Sequence, residues 1–210
     1  MLEVSAVECV RGERLLFSGL SFTLDAGQLV RVAGANGSGK TSLLRMLCGL
    51  LLPTSGSVRW RGADIRTARE EYGRELLYIG HASGIKDDLT ARENLQIAAT
   101  LAGADDAPRR IGDALAALGL ARREDLPARL LSQGQRRRVA LARLLLSARV
   151  PLWLLDEPFT ALDAGAVARV QEIVAQHVLG GGMVAYTTHM EEAVIASGAA
   201  ITIDLDARAA

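Results

Sequence analysis

Hydrophobic and polar positions change rhythm repeatedly along the chain, and each change marks a predicted element. Residues 2–10 and 15–24 alternate with the two-residue period of half-buried strands, Leu20, Phe22 and Leu24 falling on one face. Arg11-Gly12-Glu13 interrupts them and Asp25-Ala26-Gly27 is a turn, so this end reads as a small antiparallel sheet. Residues 28–33 read as a mostly buried strand, and residues 42–52, apolar on nearly every side, as a buried helix. A turn at Pro53-Thr54-Ser55-Gly56 leads to a short strand at 57–61 and a buried strand at 76–80. From 81 to 148 the strand pattern vanishes, and three helical segments at 91–103, 109–118 and 133–147 follow one another. Then come a strand at 152–155, a helix at 164–178, a glycine run at 180–182, a strand at 183–188, a short helix from Met190 and a last strand at 200–204.

This order predicts an α/β fold: a mixed or parallel sheet core with an antiparallel β subdomain and an inserted helical subdomain. No internal repeat or low-complexity linker divides the chain, so one domain is expected over residues 1–205. Its core should occupy about 1–80 and 150–205, and its helical part about 82–148.

At the junction between the strand at 28–33 and the following helix stands Gly34-Ala35-Asn36-Gly37-Ser38-Gly39-Lys40-Thr41, a match to the phosphate-binding P-loop in the strand–loop–helix context that motif requires. Its glycines let successive N–H groups turn inward on a polyphosphate, and the helix dipole adds to that field. Lys40 is expected against the β and γ phosphates and the Thr41 hydroxyl on a magnesium ion, which makes ATP and Mg2+ the expected ligands. Leu152-Trp153-Leu154-Leu155 ends in Asp156-Glu157. Alone, that ending would be a solvated strand end; after a P-loop, it suggests Asp156 holding magnesium through water and Glu157 acting as general base on the attacking water. Since neighbouring strand residues point to opposite faces, the two acids need not share a task.

Leu131-Ser132-Gln133-Gly134-Gln135 opens the helix that continues through three arginines. Ser132 and Gln135 fit a capping box, and such a helix start offers N–H groups to an anion. An ordinary cap leaves Gly134 unexplained, so a close approach by ligand is expected there. The arginines 136, 137 and 138 read mostly as a solvated face.

Composition narrows the partners. The 210 residues carry 24 Lys plus Arg against 24 Asp plus Glu, so no overall basic field invites nucleic acid or anionic lipid. Cys9 and Cys48, far apart, read as reduced core thiols, not as a zinc, disulfide or haem-attachment site. No export signal is read at the amino terminus, and no apolar run approaches the ~18 residues of a membrane span. If the chain works at a membrane, something else is expected to hold it there.

Taken together, the segments 34–41, 131–135 and 152–157 resemble the ATP-binding-cassette ATPases, as do Ala161-Leu162-Asp163 and Thr187-Thr188-His189. The resemblance implies a P-loop ATPase that pairs head to tail as a homodimer. ATP on Lys40 and Thr41 of one copy would be closed over by Ser132, Gly134 and Gln135 of the other, with Asp163 communicating across the interface and His189 contacting the γ phosphate. His81 takes the place of the family's metal-sensing glutamine, and Arg11 that of its adenine-stacking aromatic. The stretch 78–95 is similar to the ATPase subunits of the cytochrome c maturation system (CcmA-type), with Ala82 where another glutamine is expected. That similarity implies an integral membrane partner at the cytoplasmic face of a bacterial inner membrane, and work spent on haem export or on release of a haem-loaded chaperone. No residue here is read as binding haem, and no nucleic acid partner is implied. Another cargo, or a gated module that does not turn ATP over, stays open at this point.

Overall fold

The computed structural model describes residues 1–103, 107–189 and 200–208; the helix expected from Met190 lies outside them. Among these residues nine strands form two sheets. The first is antiparallel in the order β2-β1-β4-β5, built from β1 (Leu2–Arg11), β2 (Arg14–Leu24), β4 (Ser55–Trp60) and the two-residue β5 (Ala63–Asp64). The second is parallel in the order β6-β7-β8-β3-β9, from β3 (Leu29–Ala33), β6 (Leu76–Ile79), β7 (Leu152–Leu155), β8 (Met183–Thr187) and β9 (Ala200–Asp204).

Every residue of β7 and β8 is buried, the signature of parallel strands covered on both faces. Their two-residue period divides the core. Trp153, Leu155, Val184 and Tyr186 point into one cluster, with the helices α3 (Ala91–Leu101), α4 (Ala107–Ala117), α5 (Gln133–Leu146) and α6 (Ala164–Leu179). Leu152, Leu154, Met183 and Ala185 point into the other, shared with α1 (Lys40–Leu47) and the antiparallel sheet. The segment between β6 and β7 contains α3, α4 and α5 packed on one another, with no strand between them among the described residues.

Beyond small shifts of strand ends and the added β5, two helices differ from the sequence expectation. The helix expected to reach residue 52 stops at Leu47, because Gly49 takes a positive φ of 73° and closes a Schellman motif. Its N–H donates to the Met46 carbonyl, and that of Leu50 to Arg45, leaving Leu50 and Leu52 exposed despite their apolarity. The short helix α2 (Arg69–Arg74) was not foreseen: only Tyr72 of its six residues is buried, so no apolar stripe announces it.

Candidate functional site

Strand register fixes where the chemistry collects. Ile79 of β6 lies opposite Leu155 of β7, which lies opposite Tyr186 of β8, itself opposite Arg31 of β3. All four strands therefore end on one edge, the edge where α/β sheets bind ligands. Just past those ends come Gly34, His81, Asp156 and His189. A cleft of about 560 Å³ opens there, lined by Asn36, Lys40, Thr41, His81, Glu157 and His189 among others.

The P-loop is held from several sides. Gly39 has a φ of 103°, and a Cβ on it would sit 2.9 Å from the Phe17 ring, so neither the turn nor the packing tolerates a side chain. As N-cap it provides no side-chain acceptor to α1, so the N–H groups of the first turn remain available to an anion. The Lys40 ammonium, 7% exposed, curls back to donate to the carbonyls of Gly34 (2.7 Å) and Ala35 (2.9 Å). Burial lowers its pKa, opposed by the nearby carboxylates of Glu157, Asp206 and Asp156. Asp206 also accepts from the Ala35 N–H at 2.8 Å, steadying the loop from 171 residues away. Sequence reasoning passed over it because nothing local marks such a contact.

Asp156 is buried, and its Oδ1 accepts from the hydroxyls of Thr41 (3.1 Å) and Thr187 (3.0 Å). Its Oδ2 is buried without a hydrogen-bond partner. A threonine hydroxyl beside a carboxylate oxygen with spare capacity is a hard-oxygen donor set that suits magnesium. Among the described residues no cluster of three His, Cys, Asp or Glu forms a metal site by itself.

Glu157 meets His189: the imidazole Nε2 stands 3.1 Å from Oε1, and the His189 N–H lies 3.3 Å from Oε2. The two acids do diverge, but not by strand alternation. The strand ends at Leu155, and Glu157 adopts a left-handed φ of 51°, so the chain itself turns the second carboxylate away from the first. Thr187, not singled out as a site residue from the sequence, joins them, donating to Asp156 and accepting from the Glu157 N–H at 2.8 Å.

The α5 tip lies outside this cleft. Ser132 accepts from the Gln135 N–H (3.2 Å) while Gln135 Oε1 accepts from the Ser132 N–H (3.0 Å), a complete capping box. Gly134 acquires a reason internal to the chain: a Cβ there would lie 2.5 Å from the Ala161 carbonyl, so the close approach is made by this chain's own loop. Asp163 caps α6, accepting from the Ala166 N–H (2.8 Å), and pairs with Arg138. The arginine row is not all solvated. Arg137 is buried and donates to the carbonyls of Gly80, Asp156 and Glu157. Its spacing from Leu141 and Leu144, four and seven residues on, is the signal that places it on the inner face of the helix.

Arg11 does not line the cleft; it sits opposite Arg14 at the β1–β2 hairpin, and Arg14 is the one whose guanidinium reaches the neighbourhood of Gly37. Cys9 and Cys48 are free thiols, and burial pushes Cys48 up to about 11. A second cleft of about 470 Å³ runs beside the helices, lined by Leu76, Lys86, Leu89, Ile97, Leu101 and Arg143. Leu101 is 84% exposed at its lip.

The ABC transporter family model matches residues 17–160. The chain is 56% identical over 191 residues to the cytochrome c biogenesis ATP-binding export protein CcmA of Nitrosomonas europaea, covering 91% of this chain and 89% of that one. It is also 56% identical over 185 residues to its namesake in Methylococcus capsulatus, covering 87% and 88%. Among solved structures, an ATP-binding subunit of an ABC transporter superposes with a TM-score of 0.81 at 28% identity, covering 90% of this chain and 80% of that one. The cassette MJ0796 shares the fold with a TM-score of 0.82 at 24% identity, covering 98% and 95%.

Proposed function

The chain belongs to the ABC transporter family, in its cytochrome c biogenesis ATP-binding (CcmA) branch, and on that premise we propose that it is the subunit that hydrolyses ATP to drive haem export, or release of a haem-loaded chaperone, for c-type cytochrome assembly. The observation that carries this reading is the convergence of Lys40, Thr41, Asp156, Glu157 and His189 on one strand edge.

Residues 34–41 take the triphosphate, with the first-turn N–H groups and Lys40 on the β and γ phosphates. Thr41 and Asp156 would hold Mg2+, which supplies charge neutralisation on the phosphates when bound. Glu157 accepts the proton of the water that attacks the γ phosphorus, ADP leaves, and inorganic phosphate remains. His189, 3.1 Å from Glu157, orients that carboxylate and donates toward the γ phosphate. His81, at the rim of the same cleft, would meet the cation either directly through its imidazole or through a bound water.

A second copy completes the site. Its Ser132 hydroxyl accepts the capping bond and keeps a proton to donate, so the α5 tip of the partner closes over the phosphates with Gly134 and Gln135. Asp163, already engaged as cap and ion pair, would hold the facing loop in shape. Arg14, rather than Arg11, is the cation that approaches the phosphate loop, beside Gly37. No helix among the described residues is long and apolar enough to cross a membrane. The cleft at Leu76, Lys86, Leu89 and Ile97 is read as the seat for an amphipathic helix of an integral inner-membrane subunit, with the chain peripheral on the cytoplasmic face.

Phosphate release by wild type and Glu157→Gln, each with the co-purified membrane subunit, tests the reading. A loss of at least ~100-fold is expected from removal of the general base; equal release would remove Glu157 from catalysis.

A further inference from the structure

We propose that Arg137 is a positioning residue for the Glu157 carboxylate, acting through backbone carbonyls and not through substrate. Arg137 is 4% exposed, and its guanidinium is hydrogen-bonded to backbone carbonyls. Nη1 donates to the Gly80 carbonyl at 2.8 Å, and Nη2 to the carbonyls of Asp156 at 2.9 Å and Glu157 at 2.8 Å. In an extended strand successive carbonyls point to opposite sides, so one nitrogen can receive two consecutive carbonyls only where the chain turns. Glu157, with its φ of 51°, is that turn.

The left-handed conformation of a non-glycine residue persists only where its surroundings impose it. Here the Glu157 carbonyl is fixed by Arg137 and its N–H by Thr187, so both ends of the residue are tied and the direction of its Cβ follows. The same guanidinium holds the Gly80 carbonyl, one residue before His81. One buried side chain on α5 therefore sets the catalytic acid relative to the residue at the opposite rim of the cleft. A lysine has a single ammonium and cannot reproduce the fork; a glutamine brings only one NH2 group.

This inference rests on Glu157 being the general base, and the experiment separates the two. ATP turnover, KM for ATP and the ATP-induced rise in Tm are measured for the full chain and for Arg137→Gln, Glu157→Gln and the double variant. The positioning role predicts that Arg137→Gln lowers kcat about 10- to 100-fold, as misplacement of a catalytic group does. KM and the ATP-induced Tm rise should stay at wild-type values, and Arg137→Gln should add no further loss to Glu157→Gln in single-turnover measurements. If Arg137→Gln costs the same factor on top of Glu157→Gln as it does in the wild type, or if its loss is carried by KM, the proposal is overturned, as it is by wild-type kcat for Arg137→Gln while Glu157→Gln is impaired. Full activity of Glu157→Gln would instead remove the underlying assignment. Should Arg137→Gln not fold, Arg137→Lys replaces it under the same criteria.

Discussion

His177 stacks flat on Trp153, ring centroids 3.7 Å apart and planes within 2°, with its Nε2 buried and unpartnered among the described residues. Burial pulls its pKa from 6.5 to about 4, opposed in part by hydrogen bonding to the carbonyls of Pro151 and Ala148. The folded chain thus keeps a neutral imidazole where the unfolded chain takes up a proton. Below the unfolded value the unfolded state binds more protons, so stability falls with falling pH; it is fully present above 6.5 and lost progressively down to about 4. The gap of about 2.5 between those two values corresponds to an upper limit between about 3 and about 4 kcal/mol at 1.36 kcal/mol per unit. Replacing His177 with Phe retains an aromatic partner for Trp153 and removes the titration. Urea unfolding followed by tryptophan fluorescence, from about pH 7.5 to about 4.5, should show the wild type losing roughly 2–3 kcal/mol more than His177→Phe. Absolute stabilities will differ because the variant loses the imidazole's hydrogen bonds, so the difference in slope is the quantity that counts. Parallel pH dependences would show that the imidazole is not held neutral by its surroundings.

Five other substitutions probe the site and its partner. Thr187→Val removes the hydroxyl shared by Asp156 and Glu157 and should cost about 1–3 kcal/mol of stability along with most phosphate release, read by chemical denaturation and a phosphate assay. Gly134→Ala drives a methyl into the Ala161 carbonyl and should destabilise the chain by about 1–3 kcal/mol, with ATP affinity of the isolated chain unchanged by calorimetry because the cleft is not touched. Lys40→Met should abolish the ATP-induced rise in Tm while leaving the unliganded Tm close to wild type, since its two bonds run only to loop carbonyls. Lys86→Glu, on the groove wall, should abolish co-purification of the membrane subunit, whereas Asp88→Lys should weaken it less, because Asp88 is 94% exposed and outside that lining.

What could be read in advance was whatever declares itself over a few consecutive residues. The alternation of β1 and β2, the four apolar residues before Asp156 and the glycine spacing of residues 34–41 each carry their own period, and the structure follows them within a residue or two. Contacts between distant segments left no such trace. Asp206 steadies the P-loop across 171 positions, and Ala161 occupies the space that Gly134 leaves open. Arg137 was hidden for a different reason. A charged residue on a helix is usually solvated, and only its place in line with Leu141 and Leu144 betrays that it points inward. The early stop of α1 follows the same logic: Leu50 and Leu52 keep the apolar run going, but the positive φ of Gly49 ends the helix whatever follows.

These distant contacts share a feature that bears on function. Asp206 grips the Ala35 N–H, Thr187 the Glu157 N–H, Arg137 four carbonyls, and the Lys40 ammonium two more. The reactive groups are thus aimed by fixing the backbone beneath them, while their own polar atoms at Asp156 Oδ2 and the α1 N-terminus are left with bonding capacity to spare. Such a site is preorganised before a second copy arrives, since electrostatic stabilisation is worth most when no dipole has to reorient. It follows that closure by the partner's α5 tip need only exclude water and add donors to the γ phosphate. The step that should respond to dimerisation is then turnover, not nucleotide capture: isolated chains should bind ATP with an affinity close to that of the assembled complex and hydrolyse it far more slowly.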